Sequence, residues 1–153
     1  MSESLPPGLH DRLDASFRRD PHAAHLGIEI ISWAQGSATV GCTITEGHTN
    51  FLGGGHGGVM FSLADVAMSI ASNTVGRITV AVQVDISYLR RVVPGDRLTA
   101  TATVTNTSRR LTHIDIEVMA GERKVSAATA IGYRTDDWLF GAEAWPDSWR
   151  STH

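Results

Sequence analysis

The chain has 153 residues, 42% of them hydrophobic and 19% charged, proportions that suit one compact domain over residues 1–153 and leave little room for two. A net charge of -3 and a pI near 6.1 exclude the broadly basic surface of a general nucleic-acid binder. No run of about eighteen apolar residues occurs, and residues 1–7 lack a basic stretch followed by an apolar one, so neither a membrane span nor a secretory leader is expected. The single cysteine, Cys42, excludes an internal disulfide and fits a reducing, cytoplasmic setting.

In chain order, Leu9, Leu13 and Phe17 recur every fourth residue among charged neighbours, which predicts a short amphipathic helix over about 8–20 that ends at Pro21. β-Branched residues then predict strands over 26–33 and 37–44, with Gln35-Gly36 as the turn between them. The most informative stretch follows. From Asn50 to Gly58 a polar, glycine-rich loop runs into an apolar segment, 57–72, of helical length and composition. Glycines let the backbone approach a ligand closely, and the first N–H groups of such a helix have no internal acceptor, so the amide of Gly57 is a candidate donor to a developing oxyanion.

Asp65 lies two turns inside that helix, where an ionised carboxylate is costly unless something pairs with it or uses it. At ~100° per residue, Gly58, Phe61, Ser62, Met68, Ser69 and Ser72 share its face, while Val59, Met60, Leu63, Ala67 and Ile70 form a core face. Neither face suits open water, so the helix is expected to be buried all round. Four further strands are predicted over 77–89, 97–107, 111–119 and 124–133, separated by turns, with consecutive late strands antiparallel. The expected architecture is α+β: a curled antiparallel sheet of about six strands around one long helix. The tail, 135–153, carries Trp138, Trp145 and Trp149 without clear periodicity and is expected to dock on the surface or at a subunit contact.

Asn50, His56-Gly57-Gly58 and Phe61-Ser62-Leu63-Ala64-Asp65, at this spacing, resemble the hotdog-fold acyl-CoA thioesterases of the PaaI type, and the likeness covers about 25–134, including Tyr88-Leu89-Arg90 and Gly95-Asp96. The resemblance implies a sheet curled around the central helix, two chains joined into one continuous sheet, and often a dimer of dimers. It implies Asp65 as general base or nucleophile, Gly57 N–H as oxyanion donor, and Asn50 and His56 as orienting groups. The substrate would be an aromatic or medium-chain acyl-CoA, with coenzyme A part of the substrate and no separate cofactor.

That chemistry is coherent in itself. Thioester hydrolysis needs an activated water or a carboxylate nucleophile, and a donor for the carbonyl oxygen as it gains charge. His56 and Asp65 are nine positions apart, so on one straight helix they would lie ~180° apart around it and ~13.5 Å apart along it. Either His56 bends back from the loop or the working site is built from two chains across a two-fold axis, the arrangement the resemblance implies. Phe51, Gly58, Phe61, Ser62 and Met68 are candidate acyl-group contacts, and Arg90, Arg91, Arg109 and Arg110 candidate partners for the CoA phosphates.

Rival readings have weaker support. A hotdog hydratase would place a histidine five residues after the aspartate, where Ile70 stands; the dehydratase pattern of a Pro-rich His loop with a helical Glu is missing. The intact Asn50, Gly57 and Asp65 set argues against a non-catalytic acyl-CoA sensor, although binding and turnover use many of the same contacts. The glycines are followed by no Gly-Lys-Ser/Thr and so form no P-loop. His10, His22, His25, His48, His113 and His153 lack ligand spacing, so no metal is expected. A hydroxyl residue that helps position water is sought on the third strand, but Ala81, Val82 and Gln83 occupy that region and Thr79 comes slightly early.

Overall fold

The computed structural model describes residues 4–153; the first three residues of the 1–153 unit lie outside the described residues. Helix α1 (Leu9–Phe17) starts after Gly8, whose φ of 77° makes the turn, and buries Leu9 and Leu13. The segment that follows corrects the sequence reading. The first helix ends at Phe17, short of Pro21, and Pro21 instead begins a second, α2 (Pro21–Leu26), because the Asp20 side chain accepts from the His22 and Ala23 amides and proline is well placed at a first helical position. Gly27, with φ 68°, closes α2. Leu26 therefore belongs to a helix, and the first strand starts later than predicted.

Strands β1 (Glu29–Ala34) and β2 (Ser37–Thr43) form the expected hairpin, with Ala34 opposite Ser37 and Gly36 at φ 74°. The long helix α3 (Gly57–Asn73) and the strands β3 (Arg77–Tyr88), β4 (Arg97–Thr107), β5 (Leu111–Ala120) and β6 (Arg123–Trp138) complete an antiparallel sheet in the order β1-β2-β4-β5-β6-β3. β3 and β4 are consecutive in the chain yet not neighbours. The linker between them closes onto the end of β2, where Gly95 N–H donates to Ile44 O and Ile44 N–H to Asp96 O, while β3 lies at the far edge against β6.

α3 packs on the sheet through Val59, Met60, Leu63, Ala67, Ile70 and neighbours, against β2, β4 and β5 above all. It is not buried all round. Phe61 and Ser69 are exposed and Ser62 and Asp65 half-buried, so one stripe of the helix stays open in a single chain. Met68, placed on that stripe by the helical wheel, is instead 2% exposed and part of the core. It belongs to the main hydrophobic core.

The tail docks onto its own chain. β6 runs on to Trp138, and a short helix α4 (Asp147–Thr152) brings Trp149 beside Trp145. These two rings form a second core with Leu9 and Leu13 of α1. Trp149 Nε1 donates to Val75 O at 3.0 Å and Trp145 Nε1 to Leu139 O at 2.7 Å, so each indole buries its apolar body and satisfies its N–H. Gly76, at φ 86°, lies against Trp145 where an added Cβ would come within 1.9 Å of the ring.

Candidate active site

His56 is the N-cap of α3: its backbone is extended and its Nδ1 accepts the Gly58 N–H at 2.8 Å. Capping by the second amide leaves the first, Gly57 N–H, without an acceptor among the described residues. This amide opens into a cleft of about 410 Å³ bordered by Asn50, Tyr88, Arg90, Arg91 and Val92. The Tyr88 ring lies so near that a Cβ on Gly57 would sit 3.1 Å from it.

The loop that sets up this amide is built by Asn50. Its Oδ1 accepts from Leu52 N–H at 2.9 Å and Gly54 N–H at 3.3 Å, and its backbone N–H donates to Gly54 O at 2.8 Å. Asn50 thus shapes the loop through its oxygen, an Asx-type turn. Gly55 N–H donates to Val92 O and His56 N–H to His48 O, tying the loop to its surroundings. A Cβ on Gly55 would lie 2.3 Å from Val92 Cγ2, so glycine is required there by close approach.

Asp65 occupies the open stripe of α3. Burial pushes its carboxyl above the ordinary value, Asp20 pushes it further, and His22 acts in the opposite sense. No hydrogen-bond donor among the described residues reaches it. Gly57 and Asp65 are eight positions apart on one helix, hence roughly 12 Å along its axis. One chain therefore does not present both groups to a single carbonyl carbon.

Phe61, Ser62 and Asp65 share the open stripe, and Gly58 stands exposed at its start. Phe51, at the loop tip, is 97% exposed. Arg90 and Arg91 line the cleft; Arg90 Nη1 donates to Lys124 O and Arg91 Nη2 to Leu52 O, which directs both along its wall. Arg109 and Arg110 are elsewhere. Arg110 follows the Val80–Tyr133 end of the β3–β6 pairing, whereas Tyr88 pairs with Ser126 at the other, roughly 26 Å away along the strand. Arg110 is also committed to Asp136 through two bonds of 2.8 and 3.0 Å. On the third strand Thr79 is buried, its hydroxyl donating to Arg77 O, beside Asn73 at the far end of α3.

Two members of the site's surroundings escape the sequence reading. Tyr88 covers Gly57, and His22 reaches the open stripe through a 3.0 Å hydrogen bond shared between its Nε2 and Ser62 Oγ. The second joins residues forty positions apart, for which no local pattern exists. Among the described residues no group of three His, Cys, Asp or Glu side chains is placed to hold a metal ion, and no helix is long and apolar enough to cross a membrane.

Residues 52–127 match the model of the thioesterase superfamily. The acyl-coenzyme A thioesterase PaaI of Escherichia coli is 40% identical over 113 residues, which cover 74% of this chain and 81% of that protein. Its solved structure, described as the PaaI protein of the phenylacetic acid degradation operon, superposes with a TM-score of 0.83 at 34% identity over 89% of this chain and 99% of that one. A hypothetical thioesterase protein from Streptococcus pneumoniae solved with coenzyme A gives a TM-score of 0.73 at 26% identity over 79% and 95% of the two chains. By family match, sequence identity and shared fold, the chain belongs to the thioesterase superfamily, as a PaaI-type hotdog thioester hydrolase.

Proposed function

We propose that this protein hydrolyses acyl-CoA thioesters of the arylacetyl or medium-chain type to the free acid and CoA, in a site shared by two chains. The observation that carries the reading is Asp65: a half-buried carboxylate, raised in pKa by burial, with no hydrogen-bond donor among the described residues, on an open stripe of the central helix. A carboxyl so placed is poised to take a proton from water or to attack a carbonyl carbon itself. The Gly57 N–H, unpaired at the start of α3, is the donor for the carbonyl oxygen as it becomes an oxyanion. His56 holds the neighbouring amide and so orients this one, while Asn50 fixes the loop.

Assembly from two chains resolves the separation along the helix. β3 pairs with β6 on one side only, and its Val80 and Val82 are 50% and 59% exposed. An edge strand of twelve residues with exposed apolar side chains invites pairing with a second copy. A two-fold operation would bring Asp65 of one protomer toward the Gly57 amide of its partner and make two equivalent sites; a homodimer, or a tetramer of two such dimers, is the expected form. Arg90 and Arg91 supply guanidinium groups for the CoA phosphates, and Phe51, Phe61 and Ser62 border the acyl group. CoA itself is substrate and product, and the scheme uses no other cofactor.

The reading is tested by thiol release from a panel running from phenylacetyl-CoA and hydroxyphenylacetyl-CoA to medium-chain acyl-CoAs. It expects turnover concentrated on one of these groups. Absence of hydrolysis with every member, under conditions where CoA thioesters bind, would leave a binding protein instead.

A further inference from the structure

The start of α2 brings chemistry to the open stripe of α3 that the scheme above does not use. His22, at the second position of α2, shares a 3.0 Å hydrogen bond with Ser62, and Ser62 stands one turn before Asp65 on the same helical face. Asp20, the cap of α2, accepts the His22 and Ala23 amides and so fixes where the histidine leaves the backbone. One short, capped helix thus carries an acid and an imidazole to the face that bears the unpartnered carboxylate.

We infer that His22 is a positioning residue for Asp65: Ser62 holds its ring over the α3 face one turn from the carboxylate, and there the imidazole and the Asp20 cap of the same short helix set the charge around Asp65. The inference rests on the reading of Asp65 as the catalytic carboxylate, but it concerns a residue to which that reading assigns no role. Burial and Asp20 oppose the ionisation of Asp65, and His22 favours it. Arg19, from the turn before α2, lies further along the helix beside Ser69. Removing the imidazole raises the proton affinity of Asp65, and neutralising Asp20 lowers it.

The test titrates the Asp65 carboxyl directly, by its carbon NMR shift in the intact protein, alongside the pH profile of kcat/KM. His22→Gln retains hydrogen-bonding groups able to meet Ser62 but carries no charge; its Asp65 midpoint is expected to move up by about half a pH unit or more, roughly threefold in proton affinity. Asp20→Asn keeps a good helix cap and is expected to move the midpoint down. Ser62→Ala, which frees the ring, is expected to shift it in the same direction as His22→Gln. An unchanged midpoint in His22→Gln, or equal shifts of one sign in His22→Gln and Asp20→Asn, would overturn the inference. If His22→Gln does not fold, the opposed signs expected for Ser62→Ala and Asp20→Asn decide it. If the NMR midpoint moves while the acid limb of kcat/KM stays, His22 governs Asp65 as inferred and the catalytic reading of Asp65 fails on its own.

Discussion

Replacing Gly57 by proline removes the proposed oxyanion donor, with the ring Cδ taking the place of its hydrogen. Gly57 is the first residue of α3, where its N–H has no helical acceptor, and proline is favoured at that position. His56, at φ -67° and ψ 134°, already holds the extended conformation that a residue before proline requires. The steric demand is small: a Cβ would lie 3.1 to 3.4 Å from the Tyr88 ring, which is half exposed and free to shift by a few tenths of an ångström. Deleting one oxyanion donor typically costs about 100- to 1,000-fold in kcat, roughly 2.7–4 kcal/mol of transition-state stabilisation. Gly57→Pro is therefore expected to lose that much kcat in a thiol-release assay with KM nearly unchanged, since the bond matters once negative charge develops. Gly57→Ala meets the same Tyr88 ring but keeps the N–H, so it isolates the steric part due to the Cβ. A correctly folded Gly57→Pro variant within about tenfold of the parent kcat, or an alanine variant equally impaired, would refute the assignment.

Mixing chains that carry Asp65→Asn with chains that carry Gly57→Pro, followed by random reassociation, should restore about a quarter of parental activity, because half the dimers are mixed and each holds one intact site of two. Recovery of no activity would place both groups in one chain. Stability should also report on Asp65. Burial raises its pKa in the fold above the ordinary value of an aspartate, so the unfolded chain loses its proton first as pH rises, and folding stability falls until the folded carboxyl has ionised as well. Asp65→Asn removes that loss and should gain stability relative to the parent across this window and retain the gain to neutral pH, as read by chemical denaturation; equal stability at all pH values would contradict the burial argument. Trp149→Ala empties a fully buried site and orphans Val75 O, which should cost about 3–5 kcal/mol and lower the melting temperature by roughly 10 °C. A fall of less than about 3 °C would show that the tail contributes little.

The parts of this fold that rest on local pattern are legible in the sequence. The predicted central helix ends one residue early, and the strand over 97–107 coincides with β4. Failures occur where distant contacts decide. Asp20-Pro21 reads as a stop until Asp20 is seen capping a new helix, and β3 is placed at the edge by its pairing with β6, which no turn signal encodes. At the site, Gly57 as a free helix-start amide and Asp65 as an unpaired carboxylate follow from position within one helix. Met68 and Arg110 show the limit of that logic: the first is buried in the core, and the second stands at the opposite end of the β3–β6 pairing from Tyr88. No local pattern places His22 beside Ser62, because the bond between them spans forty residues.

The central claim is that Asp65 performs the hydrolysis, and Asp65→Asn tests it most directly because the amide keeps the shape of the side chain and loses its base. Turnover of the preferred acyl-CoA, measured beside binding of the same thioester by calorimetry, should fall by at least about 100-fold while affinity changes by less than about threefold. Hydrolysis at the parental rate by the asparagine variant would contradict the account.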